Sequence, residues 1–419
     1  MIRLDKICVW TFIACFALMM WSGSLVKWID ELSCYILLLT GLLDCIVNRR
    51  WKAYRPLLLA LAVMAFYVIY STFKGFNTLP YIVMDAIISL KPLAPFMVVL
   101  AIKPVLLPVE KKVIRWLAIF NVVEVVVLYF LPVTREYTLD IHIMFLGTTC
   151  MVAAIAYYYC SIDDHGKVAP QHMLVVMAMI VIGLGCTRAK YYAEAVLAVF
   201  FFLLYKPHMF KGIKPQYWAM AAVTVAAVAA VTWNKFSYYF LTGNSDTLDP
   251  TVAESFARPV LYATSALILI DHIPFGSGLA SFASYASQAN YSSLYHEYGI
   301  SNIYGLSEEM PDFICDAFYP MLAQYGVVGI LLFIAFLVWA FRPVRHLVRR
   351  DATRFGSHMA VSAMIVGFLL IESVASTVPM QPWGMIAMII LALAAYNPIH
   401  STIDNEVKPQ YNEREYTNA

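Results

Sequence analysis

Charge is what this chain has least of. Asp, Glu, Lys and Arg make up 13% of its 419 residues against 61% hydrophobic, which leaves too little polar surface for a water-soluble fold and makes lipid the expected solvent. No GxxxxGK[ST] or GxGxxG segment with its strand and helix is present, so nucleotide binding and ATP-driven transport have no motif to rest on. The eight cysteines form no CxxC or Cys/His spacing, which argues against a metal site and a disulfide framework. Cys8, Cys15, Cys34, Cys45, Cys150, Cys160 and Cys186 fall in or at the ends of apolar runs, where cysteine behaves as a small hydrophobe, and Cys315 alone borders a polar segment.

What is abundant is apolar runs of about 20 residues, the length that crosses a hydrocarbon core of about 30 Å. They predict helices near 7–23, 28–47, 56–73, 80–101, 113–132, 141–160, 171–187, 190–205, 217–233, 316–341, 357–376 and 383–398, an all-α polytopic membrane protein with about 12 spans. No small-residue cleavage site follows the first run, which reads as a retained helix, and no soluble domain is expected before or after the spans. Basic residues gather in alternate connections: Arg49, Arg50, Lys52 and Arg55; Lys103, Lys111, Lys112 and Arg115; Lys206, Lys211 and Lys214; Arg342, Arg345, Arg349, Arg350 and Arg354. The positive-inside rule places these connections and both termini in the cytoplasm. Segment 1–233 is then an N-terminal set of spans, 234–315 a large outer loop, 316–399 the C-terminal spans and 400–419 a polar, disordered cytoplasmic tail. Trp21, Trp28, Trp51, Trp218 and Trp383 fall at span ends, where an amphipathic ring suits the headgroup level.

The outer loop is too short for a soluble enzyme with its own core and is expected to work against the spans. Its stretch 259–271 is apolar but too short to span, which predicts an interfacial or re-entrant helix. Pro274 and the Gly276-Ser277-Gly278 run then break it and can expose backbone amides. Tyr285 to Met310, rich in Tyr, Ser, Asn and Glu, suits a wet sugar-binding cleft and equally an ordinary surface loop. Arg188, in GLGCTRAKYYAE, and Arg258 lie on the side where basic residues are scarce. Guanidinium forks match phosphate oxygens, so the two can grip a diphosphate; the structural alternative is headgroup anchoring or pairing with an acid such as Glu194. Glu308, Glu309, Asp312 and Asp316 cluster before the tenth span, and Asp312 and Asp316 share a helix face if that helix begins by Pro311. Either is a candidate general base or a helix cap, with His296 and His272 as further bases. Asp85, Lys91, Glu124 and Glu372 are intramembrane charges that fit a substrate groove, structural ion pairs or a proton path.

Three stretches carry a family resemblance. CTRAKYYAEAVLAVFFFLL, ARPVLYATSALILIDHIPFGSGLASF and CDAFYPMLAQYGVVGILLF, in this order and with this spacing, resemble the O-antigen ligase and O-antigen polymerase superfamily of bacterial membrane glycosyltransferases. The likeness covers the C-terminal half; the N-terminal half matches only in hydropathy. It implies a GT-C-like, metal- and cofactor-independent, inverting transferase of the inner membrane with a large periplasmic loop. The donor would be an undecaprenyl-diphosphate-linked oligosaccharide, and further partners the bilayer, a glycan acceptor and a chain-length regulator, with no nucleic acid. The family's two diphosphate-binding arginines map to Arg188 and Arg258, with Lys190 nearby; Asp316 or Asp312 would act on the acceptor hydroxyl, and His296, Glu308, Glu309 and Tyr319 are candidate acceptor or sugar contacts. Ligases usually carry a His where this chain has Asp312, Cys315 and Asp316, which favours the polymerase branch over transfer to lipid A–core. A lipid-linked-glycan flippase or secondary transporter is the alternative of another class.

Overall fold

A computed structural model of the chain describes residues 3–23, 28–130, 144–206, 215–237 and 250–396. Within them the architecture is all-α, with no strand beyond an isolated bridge between Ile162 and Val168. The main helices are α1 Leu4–Leu18, α2 Ile29–Val47, α3 Arg55–Lys74, α4 Leu79–Leu90, α5 Leu93–Ile102, α6 Pro108–Phe130, α7 Met144–Cys160, α8 Pro170–Gly183, α9 Ala189–Val199, α10 Pro215–Phe236 and α11 Pro250–Asp271. Short helices α12 Tyr285–Ala289, α13 Leu294–Glu297 and α14 Phe318–Met321 precede α15 Gly326–Arg350, α16 Ala352–Glu372 and α17 Pro382–Ala394.

Local chemistry explains many of the boundaries. Proline opens α3, α4, α8 and α17 within the first turn, where its missing N–H costs nothing, and Gly75 ends α3 in a left-handed conformation with its N–H on the Ser71 carbonyl. The predicted span 80–101 breaks at Lys91 and Pro92 into α4 and α5, bent by 45°. This is the kink expected of prolines that can neither donate to nor clear the preceding turn. Asp351 caps α16 by accepting the Thr353 and Arg354 amides at 3.1 Å.

Five segments are long and apolar enough to cross a bilayer: Leu4–Trp21, Arg55–Lys74, Pro108–Phe130, Phe318–Arg350 and Ala352–Glu372; the bent α4–α5 pair makes a sixth. Four other expected spans correspond to shorter apolar helices, Met144–Cys160, Pro170–Cys186, Trp218–Val231 and Pro382–Ala394. Every residue of α17 is buried and nearly every one of α7, so these helices are apolar all round because protein surrounds them on every side. Their cluster is the main core. The outward faces of the longer helices carry the opposite signature: Leu59, Ile69, Phe73, Trp116, Phe120, Leu331 and Ile334 are all exposed, far more apolar surface than water-soluble proteins present. Length, composition and this exposure together are those of an all-α membrane protein.

The structure corrects several boundaries. The helix predicted over 259–271 runs from Pro250, and the tenth span does not start at 316: Asp312 to Asp316 form turns, α14 begins at Phe318, a 3₁₀ turn follows, and α15 starts at Gly326. The tail 400–419 expected to be disordered, the last residues of the expected 383–398 span and residues 238–249 of the expected outer loop lie outside the described residues. Among the described residues, the rest of segment 234–315 has no separate core. Phe282, Leu294 and Tyr295 are buried in one cluster with Tyr67 of α3, Ile82 of α4 and Tyr325.

Candidate functional site

Arg258 and Asp316, 58 residues apart, form an ion pair: the guanidinium Nη2 donates to the carboxylate Oδ2. Arg258 sits on α11 and Asp316 in the turn before α14, both half-buried. Tyr262, one helical turn beyond Arg258, donates its hydroxyl to the Val374 carbonyl at 2.9 Å. Tyr319 donates to the Leu370 carbonyl at 2.7 Å, and the Phe318 amide to the Ser373 carbonyl at 3.1 Å. The elements that carry the ion pair are therefore both fastened to the turn that ends α16.

The other face of this turn receives α9. Thr187 takes a left-handed conformation (φ +52°), Arg188 is extended and exposed at the N-cap, and α9 starts at Ala189. Lys190 donates to Glu372 Oε2 at 2.5 Å, and Glu372 also accepts from Thr148 at 2.8 Å and Ser376 at 2.7 Å. Glu194, considered above as a partner of Arg188, is fully buried with its carboxyl against Glu372 and Lys190. Lys190 of α9 thus reaches Glu372, while Tyr262, Phe318 and Tyr319, neighbours in sequence of Arg258 and Asp316, reach Leu370, Ser373 and Val374 of the same turn.

The remaining candidates separate from this group. Asp312 is exposed in its turn, and since no helix begins by Pro311 it shares no helix face with Asp316. His296 is exposed on α13, its Nε2 3.9 Å from Glu308 Oε2; with exposed Glu308 and Glu309 it forms a surface group of its own. His272 follows α11, where Lys74 Nζ lies 3.3 Å from its Nδ1. Burial and then the Lys74 charge hold its pKa below the ordinary value. Cys315 donates to Gln288 Oε1 at 2.9 Å, and burial, reinforced by Asp316 and Asp312, pushes the thiol up to about 11. Among the described residues no three His, Cys, Asp or Glu side chains gather in a metal-binding cluster.

The expected exposed amides of Gly276-Ser277-Gly278 are occupied instead. Gly276 N–H donates to the His272 carbonyl at 2.7 Å, Ser277 to Ala323 at 3.4 Å and Gly278 to Gln324 at 2.9 Å. The next five amides each meet a side-chain oxygen: Leu279 meets Ser71 Oγ (2.6 Å), Ala280 meets Asp85 Oδ2 (2.6 Å), Ser281 and Phe282 share Gln324 Oε1 (2.8 and 3.2 Å), and Ala283 meets the Tyr295 hydroxyl (2.8 Å). Positive φ at Gly276, Gly278, Ala280 and Ala283 curls this stretch so that its N–H groups converge. Gln324 and Tyr262 carry only weak signals in the sequence. Gln324 is the lone polar residue of MLAQYGVVGILL, and Tyr262 lies four residues after Arg258, which were the available signals.

The intramembrane charges likewise have separate partners. Lys91 donates to Asp30 and Glu31, each at 2.7 Å, Glu124 accepts from Trp21 Nε1 at 2.6 Å, and Asp85 is held by Ala280.

An apolar cavity of about 520 Å³ runs between α3, α5, α15 and α16. Arg55 and Trp339 stand at one end, and Phe318, Leu370 and Ser373 line it beside the turn described above. The geometry thus combines two ion pairs, Lys190–Glu372 and Arg258–Asp316, whose elements are tied to residues 370–376, with an apolar cavity lined by Phe318, Leu370 and Ser373 beside them. No protein-family model matches the chain, and no curated protein is significantly similar to it.

Proposed function

We propose that the chain is an inner-membrane glycosyltransferase that polymerises lipid-linked glycan repeat units, with about a dozen spans and its site on the periplasmic face. The observation that carries this reading is the end of the apolar cavity beside the turn that carries Glu372 of the Lys190–Glu372 ion pair and anchors Tyr262 and Phe318, next in chain to the Arg258–Asp316 pair. A polyprenyl tail fits such a cavity, and a diphosphate head suits cations at its mouth.

In the resting state Arg258 is engaged by Asp316. Diphosphate oxygens compete for that guanidinium, and their binding releases the Asp316 carboxylate. The acceptor hydroxyl oxygen then attacks the anomeric carbon from the face opposite the diphosphate. A new carbon–oxygen bond forms, the anomeric carbon–phosphate oxygen bond breaks with inversion, and Asp316 takes the hydroxyl proton. Undecaprenyl diphosphate departs with its charge offset by Arg258, Arg188 and Lys190. Ligation to lipid A–core differs only in the acceptor. A flippase or transporter finds less support, because Lys91, Glu124 and Asp85 are each bound to a different partner and, among the described residues, are not linked into a continuous charged path.

The test is glycan lengthening in liposomes containing purified lipid-linked repeat units. Arg188→Ala and Arg258→Ala should each lower the rate at least about 100-fold with membrane insertion intact, a loss typical of removing one transition-state charge contact. Arg258→Lys should rescue poorly. Exchanging the pair as Arg258→Asp with Asp316→Arg should restore the ion pair and stability but not activity. Wild-type lengthening in both alanine variants would sink the diphosphate clamp, and glycan translocation without lengthening would replace the transferase by a transporter.

A further inference from the structure

At the opposite, basic side of the chain is a second cavity, about 60 Å³, between the α5–α6 connection, the turn after α7 and the first turns of α16. A single water needs roughly 10–15 Å³ of such space, so this cavity holds a group the size of a phosphate. Its cations come from two of the basic clusters: Lys111 on α6 and Arg354 on α16. Neither makes an ion pair with a described carboxylate. His358, one turn after Arg354, completes the lining, within the electrostatic reach of both cations. Its Nδ1 is shielded from solvent and has no hydrogen-bond partner among the described residues. Tyr159 and Phe355 fix the ring edge-on, with centroids 6.1 and 5.5 Å away. Two cations and an unsatisfied imidazole nitrogen around a partly open cavity form a prepared place for an anion.

The mouth has the opposite sign. Asp163 and Asp164 are exposed at its rim, and Asp163 Oδ1 is fixed by accepting from the His165 and Lys167 amides at 3.0 and 2.7 Å. A basic interior under an acidic rim matches a phosphodiester that carries an amine beyond it.

We propose that this cavity binds the phosphate of a membrane phospholipid headgroup, with Lys111, Arg354 and His358 on the phosphate and the acidic rim on a headgroup amine. The site is independent of the transfer chemistry proposed above and would fix lipid where the α5–α6 connection meets α16. The full chain in nanodiscs, or released into detergent and weighed by native mass spectrometry, provides the test. Wild type should retain phosphatidylethanolamine. Lys111→Gln and Arg354→Gln should each weaken retention about tenfold or more, as expected for loss of a charge-assisted hydrogen bond. Lys111→Arg should keep it, as should Lys112→Gln, whose charge is exposed on the neighbouring residue. Equal loss in Lys112→Gln, or unchanged retention in both test variants, would overturn the site. Phosphatidylglycerol held as tightly as phosphatidylethanolamine would remove the rim's role. Saturable, Lys111-dependent binding of inorganic phosphate with no bound lipid would replace the headgroup by a soluble phosphate.

Discussion

Asp85 illustrates how an acidic residue in an apolar helix comes to be tolerated. Its carboxylate accepts the Ala280 amide at 2.6 Å, the second of five consecutive N–H groups that all end on side-chain oxygens. Left-handed alanine costs about 1–2 kcal/mol, so Ala280 and Ala283 persist because the surrounding acceptors require that conformation. Asp85→Asn keeps an acceptor oxygen and should leave thermal stability nearly unchanged, whereas Asp85→Ala strands a buried amide and should cost about 1–3 kcal/mol, read from thermal unfolding in detergent. His272 gives a pH-dependent contact. Its pKa is held below the ordinary 6.5, so the fold favours the neutral ring; the contribution is complete above that value and is lost as pH falls below it. Stability should therefore drop between pH 7.5 and 5 by an amount that His272→Gln reduces. An unchanged pH dependence in the variant would assign the drop to other groups.

At the scale of elements, two glycine motifs from different stretches close one junction. A Cβ on Gly276 would collide with the Ala323 carbonyl and one on Gly326 with the Gly276 amide, and both residues need positive φ. Gly276→Ala and Gly326→Ala should thus prevent the loop from seating on α15, seen as loss of monodisperse protein and rapid proteolysis between Tyr285 and Met310. Gly299 has the same backbone sign but open space around it, so Gly299→Ala should cost only about 1 kcal/mol. The bend between α4 and α5 follows the same economy of local cause: Pro92 breaks the hydrogen-bond ladder, and Lys91 at the break turns to Asp30 and Glu31 on α2.

The whole molecule separates polarity by side. Among the described residues, Arg50, Lys103, Lys111 and Arg354 lie at one set of helix ends, and the loop that ties α3, α4, α11 and α15 together lies at the other. Cysteine substitution tests the proposed orientation: Asn302→Cys should be modified by a membrane-impermeant maleimide in intact cells, and Lys112→Cys only after permeabilisation. The reversed pattern would invert the topology. Background labelling should be low, since seven native cysteines are buried and Cys315 resists deprotonation.

Composition alone was enough for the helical, lipid-compatible class, because hydropathy and the 20-residue run are local properties. The kink at Pro92 and the need of a sparsely placed arginine such as Arg258 for a partner were legible for the same reason: each depends on a neighbour in sequence or on the solvent. The partners were not. Lys190 finds Glu372 across 182 residues, Tyr67 finds the Tyr325 carbonyl across 258, and the Ser277 and Gly278 amides are spent on a distant 3₁₀ turn. Sequence determined which residues would be expensive to leave alone in a low-dielectric interior; only the tertiary structure decided what satisfies each one, since packing brings together oxygens and amides that no local pattern relates.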